Sequence, residues 1–286
     1  MEINDPVAEV AVSYEELVHM RVCARIIDVW RPLIRFLLVQ LPFKIYVYGG
    51  EAYQMYWESN ARSSDGDPIF RRPMDVDSVV LSTVNDWCGK GITQESQHLT
   101  MSLKHLLRTD KRAQALQFSA LKILCTQGIW PMTFPVFSTR SSPQYYKSHQ
   151  TTGAVVIDHV KMYHTVTMGI NILVNGGQYF ISLLELHVQP RCSWSTNTGF
   201  LSKVMLDKGM RVTQILDANT STSTTSRASL TANVSDDNCL WVPNRANMLQ
   251  RADKVTGKRR ACQLSKARTD NQRRHWFEKT FPVITS

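Results

Sequence analysis

The sequence predicts an α+β fold: a mixed β-sheet with a long β-hairpin, flanked by helices and followed by a basic helical segment. Three observations predict it. Residues 44 to 81 give strand, turn, helix and strand signals in succession. Thr165 to Val188 alternate apolar residues at period two on either side of an Asn175-Gly176 turn. Positive charge gathers late in the chain, where Arg245 to Lys279 hold 11 Lys/Arg against 3 acids, most of the formal net charge of +9. The elements divide the chain into an N-terminal helical scaffold (1–43), a sheet unit (44–217), a Ser/Thr-rich loop or linker (218–234) and the basic helical segment (235–286).

With 286 residues, 43% of them hydrophobic, the chain can bury a proper core. Its longest apolar run, Leu33 to Leu41, is interrupted by Arg35 and Gln40 and bounded by Pro32 and Pro42, too short to span a bilayer. The acidic start MEINDPVAEVAVSYEE has no basic n-region, so a cytoplasmic, non-membrane protein is expected. The six cysteines are scattered without a C-x-x-C pair, which predicts reduced thiols and no structural zinc.

Taken in order, Ser13-Tyr14-Glu15-Glu16 has capping-box spacing, and Leu17, Met20, Ala24 and Ile27 continue at helical intervals to a break at Pro32. A second helical piece, Leu33 to Leu41, delivers the chain to a strand at Lys44 to Tyr48. Gly49-Gly50 turns it into a short helix, Glu51 to Trp57, and a polar loop then precedes a strand carrying Asp75-Val76-Asp77. Gln94 to Gln127 reads mostly as helix, with Leu99, Leu103, Leu107, Leu121 and Leu124 on its apolar side. Residues 128 to 150, with Pro131, Pro135 and Pro143, read as irregular loop. The hairpin follows, and Ser/Thr-rich residues 218 to 234 have the composition of an exposed loop. Beyond them come a short strand or turn, a helix from about Asn244 and a basic helix from about Gly257 to Lys279.

The chemistry concentrates at two places. Asp75 and Asp77 share one face of a strand because side chains alternate with period two. Two carboxylates that close repel, and a hard cation between them lets both ionise. The Gly49-Gly50 turn lets backbone N–H groups approach a phosphate at the positive end of the following helix. The return strand of the hairpin brings a third acid, since Glu185 and His187 share a face behind Tyr179, Ile181 and Leu183. An acid at the end of an apolar strand must be solvated, paired or bound to metal; Asp158, in the preceding strand, is the rival. The basic segment suits a polyanion, most commonly nucleic acid.

Gly49-Gly50-Glu51-Ala52 followed by Asp75-Val76-Asp77 resembles the G-G-x-A … D-x-D signature of the nucleotidyltransferase superfamily. With Leu184-Glu185-Leu186-His187-Val188 and the pattern Asn247-Met248-Leu249 … Lys258-Arg259 … Lys266 … Arg268, the chain looks like the catalytic subunit of the poly(A) polymerases of large cytoplasmic DNA viruses, of the poxvirus, asfarvirus and mimivirus type. The resemblance implies a nucleotidyltransferase palm and a viral mRNA-processing enzyme that adds AMP from ATP to the 3′ end of single-stranded RNA. It implies that Asp75, Asp77 and Glu185 are catalytic and hold Mg²⁺ or Mn²⁺, and that Gly49 and Gly50 bind the triphosphate. It further implies that Lys258, Arg259, Arg260, Lys266 and Arg268 bind RNA, with a partner subunit or a homodimer left open. The third acid of such sites is usually Asp. Two other readings therefore stay open: a catalytically degenerate RNA-binding or assembly subunit, and a compact nucleotidyltransferase acting on another acceptor.

Overall fold

The computed structural model describes residues 14–59, 73–82, 90–149, 155–174, 176–189, 201–217 and 238–248. The chain runs α1 (Tyr14–Gln40), β1 (Lys44–Tyr48), α2 (Gly49–Ser59), β2 (Val76–Leu81), α3 (Lys90–Thr109), α4 (Lys111–Thr126), β3 (Trp130–His149), β4 (Val155–Val174), β5 (Gly177–Gln189), β6 (Leu201–Leu206), β7 (Val212–Asp217) and β8 (Cys239–Pro243). The strands form one mixed sheet in the order β3-β4-β5-β2-β1-β8-β6-β7. The α+β class is therefore as the sequence predicts. The Ser/Thr-rich residues 218 to 234, and the basic positions Lys258, Arg259, Arg260, Lys266 and Arg268, lie outside the described residues. Among the described residues no helix is long and apolar enough to cross a membrane.

The hairpin forms as its alternation requires. Val166, Met168, Ile170 and Ile172 of β4 are fully buried, and β4 pairs antiparallel with β5 through a bulge between Met168 and Gly169. Leu184, Leu186 and Val188 of β5, which lies between β4 and β2, are buried on the same face, since Leu184 and Leu186 stand opposite Met168 and Val166. Parallel pairing of β2 with β5, and antiparallel pairing of β2 with β1, make this part of the sheet the centre of the core. β8 enters between β1 and β6, so after the Ser/Thr-rich segment the chain returns to the same sheet.

Three sequence expectations need correction. Residues 128 to 150 are no irregular loop: β3 occupies Trp130–His149 as an edge strand. Proline lacks the N–H that a central strand would need, but on an edge the missing donor can face outward. The register shifts near Pro131 and Pro135 show where the ladder adjusts to them. The helix expected over Gln94 to Gln127 is two helices, because the Asp110 carboxylate accepts hydrogen bonds from the backbone N–H groups of Arg112 and Ala113, both at 2.8 Å, and caps a new start. At Pro32 the opposite holds, since α1 continues through it. A proline inside a helix costs about 3 kcal/mol, and here tertiary contacts offset that cost. Trp30, Leu33, Ile34 and Leu37 are all within 1% of full burial around it.

Charged contacts brace the same stretch. Asp28, Arg31 and Arg35 fall at helical spacing on one side of α1, and Glu51, Gln54 and Glu58 do so on α2. Arg31 Nε donates to Glu51 Oε2 at 3.0 Å, and Arg35 donates to Glu51 Oε1 from Nη2 at 2.7 Å and from Nε at 2.9 Å. Arg35 also reaches Glu58 at 2.7 Å and the carbonyl of Met210 at 2.9 Å, and so anchors the β6–β7 turn. Met210 adopts a left-handed φ of 62°, a strained conformation for a side-chain-bearing residue that these contacts hold in place. Glu51 is completely buried and Arg35 is 1% exposed. On its far side α2 is tied down by the Tyr56 hydroxyl, which donates to Ser202 Oγ at 3.0 Å and lies 3.1 Å from the Pro243 carbonyl.

Candidate functional site

The start of α2 is thus fixed rigidly against the sheet, and what it faces is Asp77. Cross-strand register does the placing: Tyr48 of β1 is opposite Asp77 of β2, and Asp77 is opposite Glu185 of β5. Residues opposite one another in a sheet project on the same side, so three distant stretches of sequence meet at one end of three adjacent strands. Gly49 follows Tyr48 immediately with φ +66°, and a Cβ added there would lie 3.3 Å from Asp77 Oδ2. A left-handed backbone and a close carboxylate both favour glycine at this position. Gly50 is the second residue of α2, within the first turn, where backbone N–H groups have no intrahelical acceptor. The Asp77 carboxylate and the start of α2 therefore adjoin each other.

Asp77, Glu185 and His187 each offer a ligand atom, and these atoms lie within 4.8 Å of one another. All three side chains are partly open to solvent. The expected third acid, Glu185, is accordingly the direct neighbour of Asp77. Its rival Asp158 lies in β4 nine residues before Thr167, the β4 residue opposite Glu185, which is roughly 30 Å along a strand. Asp75 immediately precedes β2 instead of lying within it, and it is half-buried outside the group of three close donors.

Glu185 accepts a hydrogen bond from Ser182 Oγ at 3.3 Å, and its Oε2 lies 3.9 Å from His187 Nε2. Burial pushes the His187 imidazole below its ordinary range, and the opposing pull of the Glu185 charge does not restore it. The ring is therefore neutral near pH 7, and the Glu185–His187 contact is a carboxylate beside a neutral imidazole. The other ring nitrogen, Nδ1, lies 3.1 Å from Thr165 Oγ1 on β4, where Thr165 is the cross-strand partner of His187. Tyr48 stacks obliquely on the same ring, with centroids 6.1 Å apart.

Sequence reasoning placed His187 on the face of Glu185 but gave it no role. The signal was present in the E-x-H spacing on a strand, which sets a nitrogen donor beside an oxygen donor. It also gave Glu51 no structural role, although Arg31 and Arg35 at four-residue spacing among apolar neighbours call for a buried acid partner. No family model, no curated protein and no solved structure matches the chain.

Proposed function

We propose that the protein is a metal-dependent, template-independent nucleotidyltransferase that adds AMP from ATP to the 3′ end of single-stranded RNA in the cytoplasm, on a palm-like sheet. One observation carries the reading: the register Tyr48–Asp77–Glu185 sets a glycine turn at a helix start directly against the Asp77 carboxylate, with the Glu185 carboxylate on the next strand. The carboxylate donors Asp77 and Glu185 fit a divalent cation, Mg²⁺ or Mn²⁺. Asp77 and Glu185 would hold it, with Asp75 adjoining from the end of the loop before β2.

When bound, the cation would neutralise charge on the triphosphate and favour ionisation of the attacking 3′-hydroxyl. The chain's own work is positioning. The first-turn N–H groups of α2 would orient phosphate oxygens, and the Arg31–Glu51–Arg35 contacts would keep that helix start in register with Asp77. The sequence motifs, and the basic residues Lys258, Arg259, Arg260, Lys266 and Arg268, support an RNA acceptor over a small molecule.

The departure of Asp75 from the close donor group favours one second reading, a degenerate relative that binds RNA without extending it. Incubation of the full chain with labelled single-stranded RNA, Mg²⁺ or Mn²⁺ and each of the four nucleoside triphosphates separates the two. Extension with ATP that Asp77→Asn abolishes supports the transferase. Salt-sensitive RNA binding without extension by any nucleotide supports the degenerate relative.

A further inference from the structure

The donor set at the candidate site is not the all-oxygen set that Mg²⁺ prefers. Asp77 and Glu185 contribute oxygens, but the third atom within reach is an imidazole nitrogen. Mg²⁺ is a hard cation that favours oxygen and retains its waters, whereas divalent transition metals accept imidazole readily. The position of His187 is also specified by its neighbours. Its Nδ1 meets the Thr165 hydroxyl at 3.1 Å, the kind of outer contact that fixes ring orientation and tautomer in ligating histidines. With Nε2 given to a cation, Nδ1 keeps the proton and donates it to Thr165 Oγ1. Nε2 then faces Glu185 Oε2 at 3.9 Å, a separation at which one cation can sit between the two atoms.

We infer that His187 is a metal ligand through Nε2, oriented by Thr165, and that it makes the site selective for Mn²⁺, or a similar divalent transition metal, over Mg²⁺. The inference deepens the proposed function, because it names the metal class of the same site, yet it rests on the donor geometry and is tested by binding alone.

The test is electron paramagnetic resonance on the full chain titrated with Mn²⁺ as the chloride, without nucleotide or RNA. Binding removes the sextet of free aqueous Mn²⁺, and pulsed measurements detect a nitrogen nucleus coordinated to the metal. The expected result is a bound Mn²⁺ with nitrogen coupling that a tenfold excess of Mg²⁺ does not displace. His187→Ala should lose the nitrogen coupling and weaken Mn²⁺ binding at least about tenfold, the low end of what supporting groups contribute to metal affinity. Thr165→Val, which leaves every ligand in place, should weaken Mn²⁺ binding less and keep the nitrogen coupling, and it serves as the informative variant should His187→Ala fail to fold.

Bound Mn²⁺ without nitrogen coupling in the unaltered chain, equal competition by Mg²⁺, or no binding at all would each overturn the inference. The outcome is separable from that of the RNA assay. Nitrogen-coordinated Mn²⁺ on a chain that extends no RNA would uphold the ligand and remove the transferase. Efficient Mg²⁺-supported extension with no nitrogen coupling would do the reverse.

Discussion

Two groups of carboxylates flank the start of α2, and the protein treats them in opposite ways. Glu51 is fully buried and its charge is met inside the fold by Arg31 and Arg35, while Glu58 shares Arg35. Asp77 and Glu185 stand opposite each other on adjacent strands, partly open to solvent, and the described contacts of Glu185 are a serine hydroxyl and a neutral imidazole. The first group satisfies its charge within the chain and so holds structure. The second keeps like charges side by side, an arrangement that costs stability in a sheet and that an added cation would relieve. Both are carboxylates, so composition does not separate them; what differs is burial, complete for Glu51 and partial for Asp77 and Glu185.

The contrast makes quantitative demands on variants. Glu51→Gln should have the largest effect, since it takes the fully buried carboxylate from between two buried guanidinium groups, with only Asp28 left to Arg31 and Glu58 to Arg35, a loss of about 3 kcal/mol. Denaturant unfolding would measure it, and a loss below about 1 kcal/mol would mean that the cluster is not the brace described here. Asp77→Asn should behave differently. Its cost to stability should be smaller than that of Glu51→Gln, because Asp77 is partly open to solvent, while nucleotidyl transfer should fall by about 10²–10³-fold, the scale of losing one preorganised charge-stabilising group. Thermal unfolding beside the RNA extension assay reads both quantities on one preparation.

Gly49→Ala joins the two regions and should disturb both. The left-handed backbone at φ +66° costs a side-chain-bearing residue about 1–2 kcal/mol, and the new Cβ meets Asp77 Oδ2 at 3.3 Å. Stability and Mn²⁺ affinity should therefore fall together, whereas Gly176→Ala, also left-handed at φ +80° but with open space around it, should affect stability alone.

The smallest effect is one of pH. Burial pushes the Glu58 carboxyl up, but hydrogen bonding and charge from Arg35, with the charge of Arg31, outweigh it and leave the group below its ordinary value of 4.5. A carboxyl depressed in the folded state contributes stability that is present above pH 4.5 and is lost as pH falls through the folded value. The unfolding midpoint should decline below pH 4.5, and Glu58→Gln should flatten that decline. An unchanged profile in the variant would assign the acid sensitivity to other carboxylates.

Much of the candidate site was legible because its parts obey local rules. Gly49 announces a turn, and period two places Glu185 and His187 on one face whatever the remainder of the fold does. The alternation of Val166, Met168, Ile170 and Ile172 likewise reports a buried strand face directly, and the Asp110 break, though missed, is a local capping signal. The errors arose where neighbours overrule local preference. Three prolines argued for a loop at residues 128 to 150, but an edge strand has no need of every N–H. Pro32 argued for a helix break, but burial on both sides carries α1 through it.

By itself, then, the sequence determined which segments are strands and helices across most of the sheet, and which residues are candidates for chemistry. Only the tertiary structure decided which of those residues meet. That Asp77 is opposite Glu185, that Asp158 lies far along β4 from them and that Glu51 lies between two arginines all depend on strand order and on the docking of α1 against α2. The physical reason is range. Backbone propensity and side-chain periodicity act over a few residues, whereas ion pairs and cross-strand register join groups from 16 to more than 100 positions apart, as Arg35 with Glu51 and Asp77 with Glu185 show.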